Sequence, residues 1–287
     1  RRSTTILGIA LQPSELLKLA VVLFIALTMA RNQLKGGGVR TSAIIQSAVA
    51  VLVCGALLLP QGLTNTLLLM GVSFAMMLIA GVEWKKFGIV LLAYAVMGGG
   101  AYMVKNSAKP SYSEAELLHI QETGKNFAGE ETTISHDSVP KYAETITSKN
   151  RQEQYSYMAQ ANGGIIGQLP GNSRETARLP LAFSDYIFAI VVEDWGLLGG
   201  LGLLALYLWL LARAGAIASR CSRAFPALLV LGMAVLIVLQ ALFHMAIVTG
   251  VFPVSGQPLP LISKGGSSIL ATSIAFGIML SVSRFAV

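Results

Sequence analysis

Charge is scarce in this sequence. Asp, Glu, Lys and Arg make up 12% of its 287 residues, about half the ~25% usual in soluble domains. That shortage, set against long apolar runs, excludes an ordinary soluble globular chain. Cysteine is nearly absent: Cys54 falls in an apolar run and Cys221 in a basic loop, so no structural disulfide is expected. Histidine is rare, and no His, Cys and Asp residues stand at metal-ligand spacing, so no metal site is read from the residues. No Gly-rich nucleotide-binding loop is present, which argues against an energy-coupled pump. No internal repeat stands out. A signal peptide is also missing: Arg1 and Arg2 lead directly into a marginal segment, so the chain is expected to begin inside a longer protein.

What is present is apolar. Hydrophobic residues reach 54% and the mean hydropathy is +0.66, the composition of an integral membrane protein. A bilayer core needs about 20 apolar residues in a helix. Seven runs qualify, about 16–30, 42–59, 65–81, 87–104, 186–211, 226–251 and 267–282, so the expected fold is all-α and polytopic. The first helix can begin at Gln12-Pro13-Ser14-Glu15, where Pro13 suits a first-turn position and Ser14 and Glu15 could serve the free N-terminal amides. If each run crosses once, Arg31, Lys35, Arg40, Lys85, Lys86, Arg213, Arg220, Arg223 and Arg284 share one side. Opposite them only Lys264 lies between runs six and seven, and no basic residue lies between runs two and three. This is the positive-inside pattern. It accounts for the net charge of +7 without nucleic acid, and it places Gln12, Pro60, the long loop and 253–268 outside. The whole of 1–287 reads as one membrane domain, with an extracytoplasmic loop at 105–184 between the fourth and fifth spans. The first half of that loop is polar without a clear period. From Gln154 to Ile166 it could form an interfacial helix ending at Gly163-Gly164, and 167–173 is turn chemistry.

Four polar clusters lie on the outer side. Glu15 and Lys18 share a helix face three residues apart; they read as an ion pair easing burial or as a site wall for an anionic lipid headgroup. Asp185, Glu193 and Asp194 sit at the mouth of the fifth run, where a carboxylate is costly unless paired or used. Asp185 reads either as a helix-start residue that suits the dipole or as a functional acid. Glu193 is expected to pair with a buried partner such as Lys18 or Lys264, and Asp194 lies on another face. The stretch from Val254 to Ser268 is Pro- and Gly-rich, allowed at membrane depth only where it lines a cavity or is buried in protein. There Gly265, Gly266, Ser267 and Ser268 open a helix whose free amides suit phosphate. Asn172, Ser173, Arg174 and Arg178 form the fourth cluster, either a solvated loop or a diphosphate-binding group. His244, inside the sixth run, reads as a hydrogen-bonded interior histidine.

Together these clusters resemble the SEDS family of bacterial cell-wall proteins (FtsW, RodA and SpoVE). The matching motifs are Gln12-Pro13-Ser14-Glu15 with Lys18, Gly171-Asn172-Ser173, Leu179-Pro180, Ser184-Asp185-Tyr186-Ile187-Phe188-Ala189, Glu193, Gly196-Leu197-Leu198-Gly199 and the segment from Pro253 through Pro258-Leu259-Pro260 to Gly265-Gly266-Ser267-Ser268. They cover nearly the whole chain outside 108–151, and the Gly-Asn-Ser element looks more like the division-type members (FtsW) than the elongation type (RodA). Family members have about ten membrane helices, so three N-terminal ones would be missing here. The resemblance implies a peptidoglycan glycosyltransferase that polymerises lipid II into glycan strands and releases undecaprenyl diphosphate for septal wall synthesis. It also implies a bacterial cytoplasmic membrane protein with its catalytic face outside, sited at the division septum, and a class B penicillin-binding protein and other divisome proteins as partners. The family's essential aspartate maps onto Asp185, and residues lining the same cavity map onto Glu15 and Lys18.

The chain also departs from the family. It has no acid in Pro60-Gln61-Gly62-Leu63-Thr64-Asn65-Thr66, lacks the usual Glu and His in Leu179-Pro180-Leu181-Ala182-Phe183-Ser184-Asp185, carries Ala10 where an arginine is common, and has Lys264 where the family usually has tyrosine. The catalytic expectation therefore rests on Asp185, as general base on the acceptor sugar's 4-hydroxyl. Lys18, Arg174, Arg178 and the amides of 265–268, or a divalent ion (Mg or Mn), would stabilise the departing diphosphate. Gln12 and Glu193 are supporting residues. The alternatives are a lipid II flippase, an elongation-type polymerase and a membrane scaffold for a division partner.

Overall fold

The computed structural model describes residues 4–6, 9–34, 38–59, 62–107, 123–125, 131–133, 151–175, 178–179, 182–252 and 255–286. Within them the elements run β1 (Thr4–Ile6), β2 (Ile9–Leu11), α1 (Pro13–Arg31), α2 (Thr41–Leu58), α3 (Leu63–Ile79), α4 (Trp84–Ser107), β3 (Thr123–Lys125), β4 (Glu131–Thr133), α5 (Arg151–Gly163), α6 (Ala182–Asp185), α7 (Ile187–Ser219), α8 (Ala224–Val248) and α9 (Gly266–Phe285). The strands form two antiparallel hairpins of three-residue strands; helices are the rest. The seven apolar runs become α1–α4 and α7–α9. Five of these, α1, α2, α7, α8 and α9, are long and apolar enough to cross a membrane, and the apolar stretches Leu63–Ile79 and Lys86–Gly100 are shorter. The expected interfacial helix is α5. Pro60, Gln61, Pro180, Pro253, Val254, Lys35 and most of the polar half of the long loop lie outside the described residues.

The bundle is organised around α8, which packs on α7, α1, α3 and α9. Its sequence is apolar on every face, and its buried residues run almost continuously from Leu228 to Val248, as expected of a helix with neighbours all round. Gly232 permits the closest of these approaches: a Cβ there would meet Met76 Cε at 2.7 Å and Val22 Cγ1 at 2.8 Å. The chain's polar and basic loops separate to opposite ends of the bundle. At the basic end the turn after α1 lies against the turn after α3, Gly38 beside the Gly81 carbonyl. At the other end meet the start of α1, the start of α3, α6, and the 255–265 segment that leads into α9.

One feature was not expected from the sequence. The fifth run is a single long helix by hydropathy, but α7 breaks at Gly196 (φ 67°, ψ −170°). The peptide groups freed there bond to the loop after α5. Gln168 N donates to Glu193 O (2.9 Å), Leu169 N to Asp194 O (2.9 Å), Leu197 N to Gly164 O (2.9 Å) and Leu198 N to Ile165 O (3.2 Å). A helix break inside apolar surroundings is tolerable only when the exposed backbone finds such partners.

Candidate active site

Asp185 is the last residue of α6, just before α7 begins. It is half-buried, and Ser184 Oγ donates to its Oδ1 at 3.0 Å. What holds α6 in place is the Pro-rich segment before α9. Ser263 Oγ donates to the Ser184 carbonyl (2.7 Å) while accepting from Leu259 N (2.7 Å), and Lys264 N donates to the Phe183 carbonyl (2.8 Å). The two segments most rich in motif residues are therefore bonded to each other at the Asp185 turn.

The segment's own carbonyls are met by side chains from the bundle. His244 Nδ1 bonds the Gln257 carbonyl (2.6 Å); a carbonyl only accepts, so Nδ1 carries the proton of that bond. Gln240 Nε2 donates to Pro258 O (3.3 Å), and the Tyr207 hydroxyl donates to Pro260 O. Gln257 Nε2 donates to Asn65 Oδ1 (2.6 Å). An irregular segment lacking helical bonds thereby has its acceptors served. The network reaches α1 as well. Lys18 Nζ lies 3.5 Å from Gln240 Oε1 and 2.7 Å from Glu15 Oε1. Lys18 has no exposure and Glu15 only 5%, so the pair is desolvated and each charge depends on the other. Asp185 also lies within electrostatic reach of His244 and Tyr186. Among the buried polar atoms, His244 Nε2, Gln257 Oε1 and the Tyr186 hydroxyl have no hydrogen-bond partner.

The sequence-derived candidates are distributed unevenly. Glu15, Lys18, Asp185, Ser263 and Lys264 belong to this connected end. Gln12 is the N-cap of α1 through its backbone and makes no side-chain cap. Its carbonyl takes Glu15 N at 3.1 Å, and Glu15's carboxylate turns to Lys18 instead of to the helix amides. Gly265 is the extended N-cap of α9, again without a side-chain cap. Gly266 is exposed, and a Cβ there would meet nothing within 4 Å; Gly265 N already donates to Ser263 O at 2.8 Å, and Ser267 and Ser268 are buried. Asn172, Arg174 and Arg178 are exposed. Asn172 Nδ2 donates to Gln168 O at 3.1 Å, and Arg178 pairs with Glu175 at 3.3 Å.

Glu193 corrects the sequence reading. It does not pair with Lys18 or Lys264. Fully buried, it accepts from Ser173 Oγ (2.5 Å), Arg174 N (3.0 Å) and Glu175 N (3.2 Å). Lys18 is already neutralised by Glu15 and Lys264 is exposed, whereas the loop docked on the α7 break brings two amides and a hydroxyl to the carboxylate. Gln240, Asn65 and Tyr207 were missed, and Gln257 was read only as one residue of the Pro- and Gly-rich stretch. For Gln240 a signal existed: a polar residue inside an apolar run, four before His244 and so on the same helix face. Among the described residues no three His, Cys, Asp or Glu side chains come together as metal donors.

Residues 2–287 match the family described as "Cell cycle protein", comprising FtsW, RodA and SpoVE. The probable peptidoglycan glycosyltransferase FtsW of Geobacter metallireducens is 30% identical over 278 residues, 96% of this chain and 68% of that protein. Its counterpart from Bacillus subtilis is 26% identical, over 97% of this chain and 66% of that one. The chain thus spans about two thirds of these relatives' length. Among solved structures, a chain from a peptidoglycan synthase complex that coordinates polymerization and crosslinking superposes with a TM-score of 0.68 at 26% identity, covering 100% of this chain and 74% of that one. The rod shape determining protein RodA of Thermus thermophilus shares the fold, with a TM-score of 0.60 at 24% identity, over 100% of this chain and 70% of that one.

Proposed function

The chain belongs to the FtsW/RodA/SpoVE family of cell cycle proteins, and from that premise we propose that it is a peptidoglycan glycosyltransferase that polymerises lipid II at the outer face of the bacterial cytoplasmic membrane. The observation that carries this reading is the bonded cluster at one end of the bundle. One half-buried carboxylate, Asp185, is fixed by the 257–264 segment, which also carries a basic residue, Lys264, and leads into the N-terminus of α9 at the exposed Gly266. Asp185 takes the proton of the acceptor sugar's 4-hydroxyl as that oxygen bonds the donor's anomeric carbon. The bond from that carbon to the diphosphate breaks, and undecaprenyl diphosphate leaves with the electron pair. Being a good leaving group, it needs charge stabilisation more than protonation. Lys264 and the α9 amides are suited to that, with Arg174 and Arg178 in reach of solvent. Lys18, held by Glu15 and Gln240, supports the segment from below.

Names of the relatives support a division role and septal siting over an elongation role. The synthase complex among its structural relatives supports a crosslinking partner, a class B penicillin-binding transpeptidase with its divisome associates. Polar clusters gathered at the Asp185 end, away from mid-depth, favour chemistry over transport. The test is lipid II in detergent, where no membrane separates two sides. The full-length protein with its partner is expected to make glycan chains there; lipid II left unpolymerised, with transbilayer movement recovered in vesicles, would mean a flippase instead.

A further inference from the structure

A groove of about 370 Å³ opens between α7 and α9 at the basic end of the bundle, opposite the Asp185 site. Leu210 and Ile217 of α7 and Phe276 and Met279 of α9 give it apolar walls, and Arg213 and Arg220 line it from α7. Positions 210, 213, 217 and 220 recur every three or four residues, so they share one face of the helix. The two arginines are about 10 Å apart along the axis, close enough for two long side chains to converge on one phosphate. Its volume is that of a small-ligand site, commonly ~300–1,000 Å³.

Among the described residues these two charges have no ion-pair partner. Residues 195–287 contain no Asp or Glu, and the three ion pairs among the described residues use other bases. A guanidinium does not lose its proton. Paired arginines at the rim of an apolar groove between membrane helices call for a ligand that is anionic at one end and apolar along its length. Basic pockets of this kind bind lipid phosphates.

We propose that this groove is a binding site for an anionic phospholipid, its phosphate on Arg213 and Arg220 and an acyl chain along the Leu210–Ile217 and Phe276–Met279 walls. The site is separate from the Asp185 end and stands whether or not the chain polymerises lipid II. The experiment follows the unfolding midpoint of the purified full-length protein in neutral detergent. It is titrated with phosphatidylglycerol, with phosphatidylcholine of the same acyl chains, and with inorganic phosphate. Phosphatidylglycerol is expected to raise the midpoint saturably, and the other two to leave it unchanged. Arg213→Gln with Arg220→Gln is expected to raise the half-saturating phosphatidylglycerol concentration about tenfold or more. Arg31→Gln with Arg40→Gln, the same loss of two charges at the same end, should leave it within about twofold. Should the glutamine pair not fold, Arg213→Lys with Arg220→Lys keeps the charge but loses two-pronged phosphate contact, and should still weaken the lipid about threefold. An equal response to phosphatidylcholine, an equal loss in Arg31→Gln with Arg40→Gln, a shift reproduced by inorganic phosphate, or unchanged affinity in the lysine pair would each overturn the site.

Discussion

Lys18 sits in the bundle with no exposure, bonded to Glu15 and in contact with Gln240. Such a pair contributes modestly to stability while intact, but removing one member strands the other. Lys18→Met is expected to destabilise the fold by roughly 3–5 kcal/mol, and Glu15→Gln with Lys18→Met by much less; thermal unfolding of the two variants in detergent reads the difference. Glu193 is a second buried charge with another solution, two loop amides and one hydroxyl. Glu193→Ala leaves those donors without an acceptor and is expected to cost about 1–3 kcal/mol and to loosen 171–175 against α7, visible as faster hydrogen exchange there. Of these residues, the Glu15–Lys18 pair was legible from their spacing of three on one helix. Asp185 was legible because a carboxylate at an apolar mouth demands a use. Glu193's partners were not, because they lie about 20 residues upstream in a loop whose docking depends on the α7 break.

At the level of elements, α7 and the loop after α5 form one unit. The break at Gly196 was hidden from a hydropathy reading, since the residues on both sides are apolar and nothing local marks which glycine interrupts the helix. The feature exists because the 163–169 backbone supplies partners, a tertiary fact. Gly163 packs so closely that a Cβ would lie 2.0 Å from Val192 O. Gly163→Ala therefore has to push α5 off α7. It is expected to lower the unfolding midpoint and glycan synthesis together, whereas Gly164→Ala, with open space around it but φ +55°, should cost only about 1–2 kcal/mol. Equal, small effects for both would mean that the α5–α7 contact does not position the site. The Pro-rich segment was legible as buried or cavity-lining, because its backbone needed partners at membrane depth. Which side chains provide them, His244, Gln240 and Tyr207, emerged only from the packing.

Over the whole molecule, the two ends of the bundle have different tasks. Seven apolar runs and an asymmetry of basic loops were sufficient to foresee the helices and the division into a basic and a polar end. They could not foresee that α8 would be the hub, since its packing depends on which helices touch. The polar end joins residues from α1, α3, α6, α7, α8 and the segment before α9 into one network, and the proposed chemistry depends on the single carboxylate held there. In the proposed chemistry Asp185 takes the acceptor proton. That role is tested by the rate of glycan formation from lipid II by the full-length protein with its transpeptidase partner, wild type against Asp185→Asn at equal amounts of folded complex. Loss of a general base is expected to slow the reaction roughly a hundredfold to ten-thousandfold while leaving the unfolding midpoint near that of wild type. Polymerisation by Asp185→Asn at the wild-type rate would contradict the account.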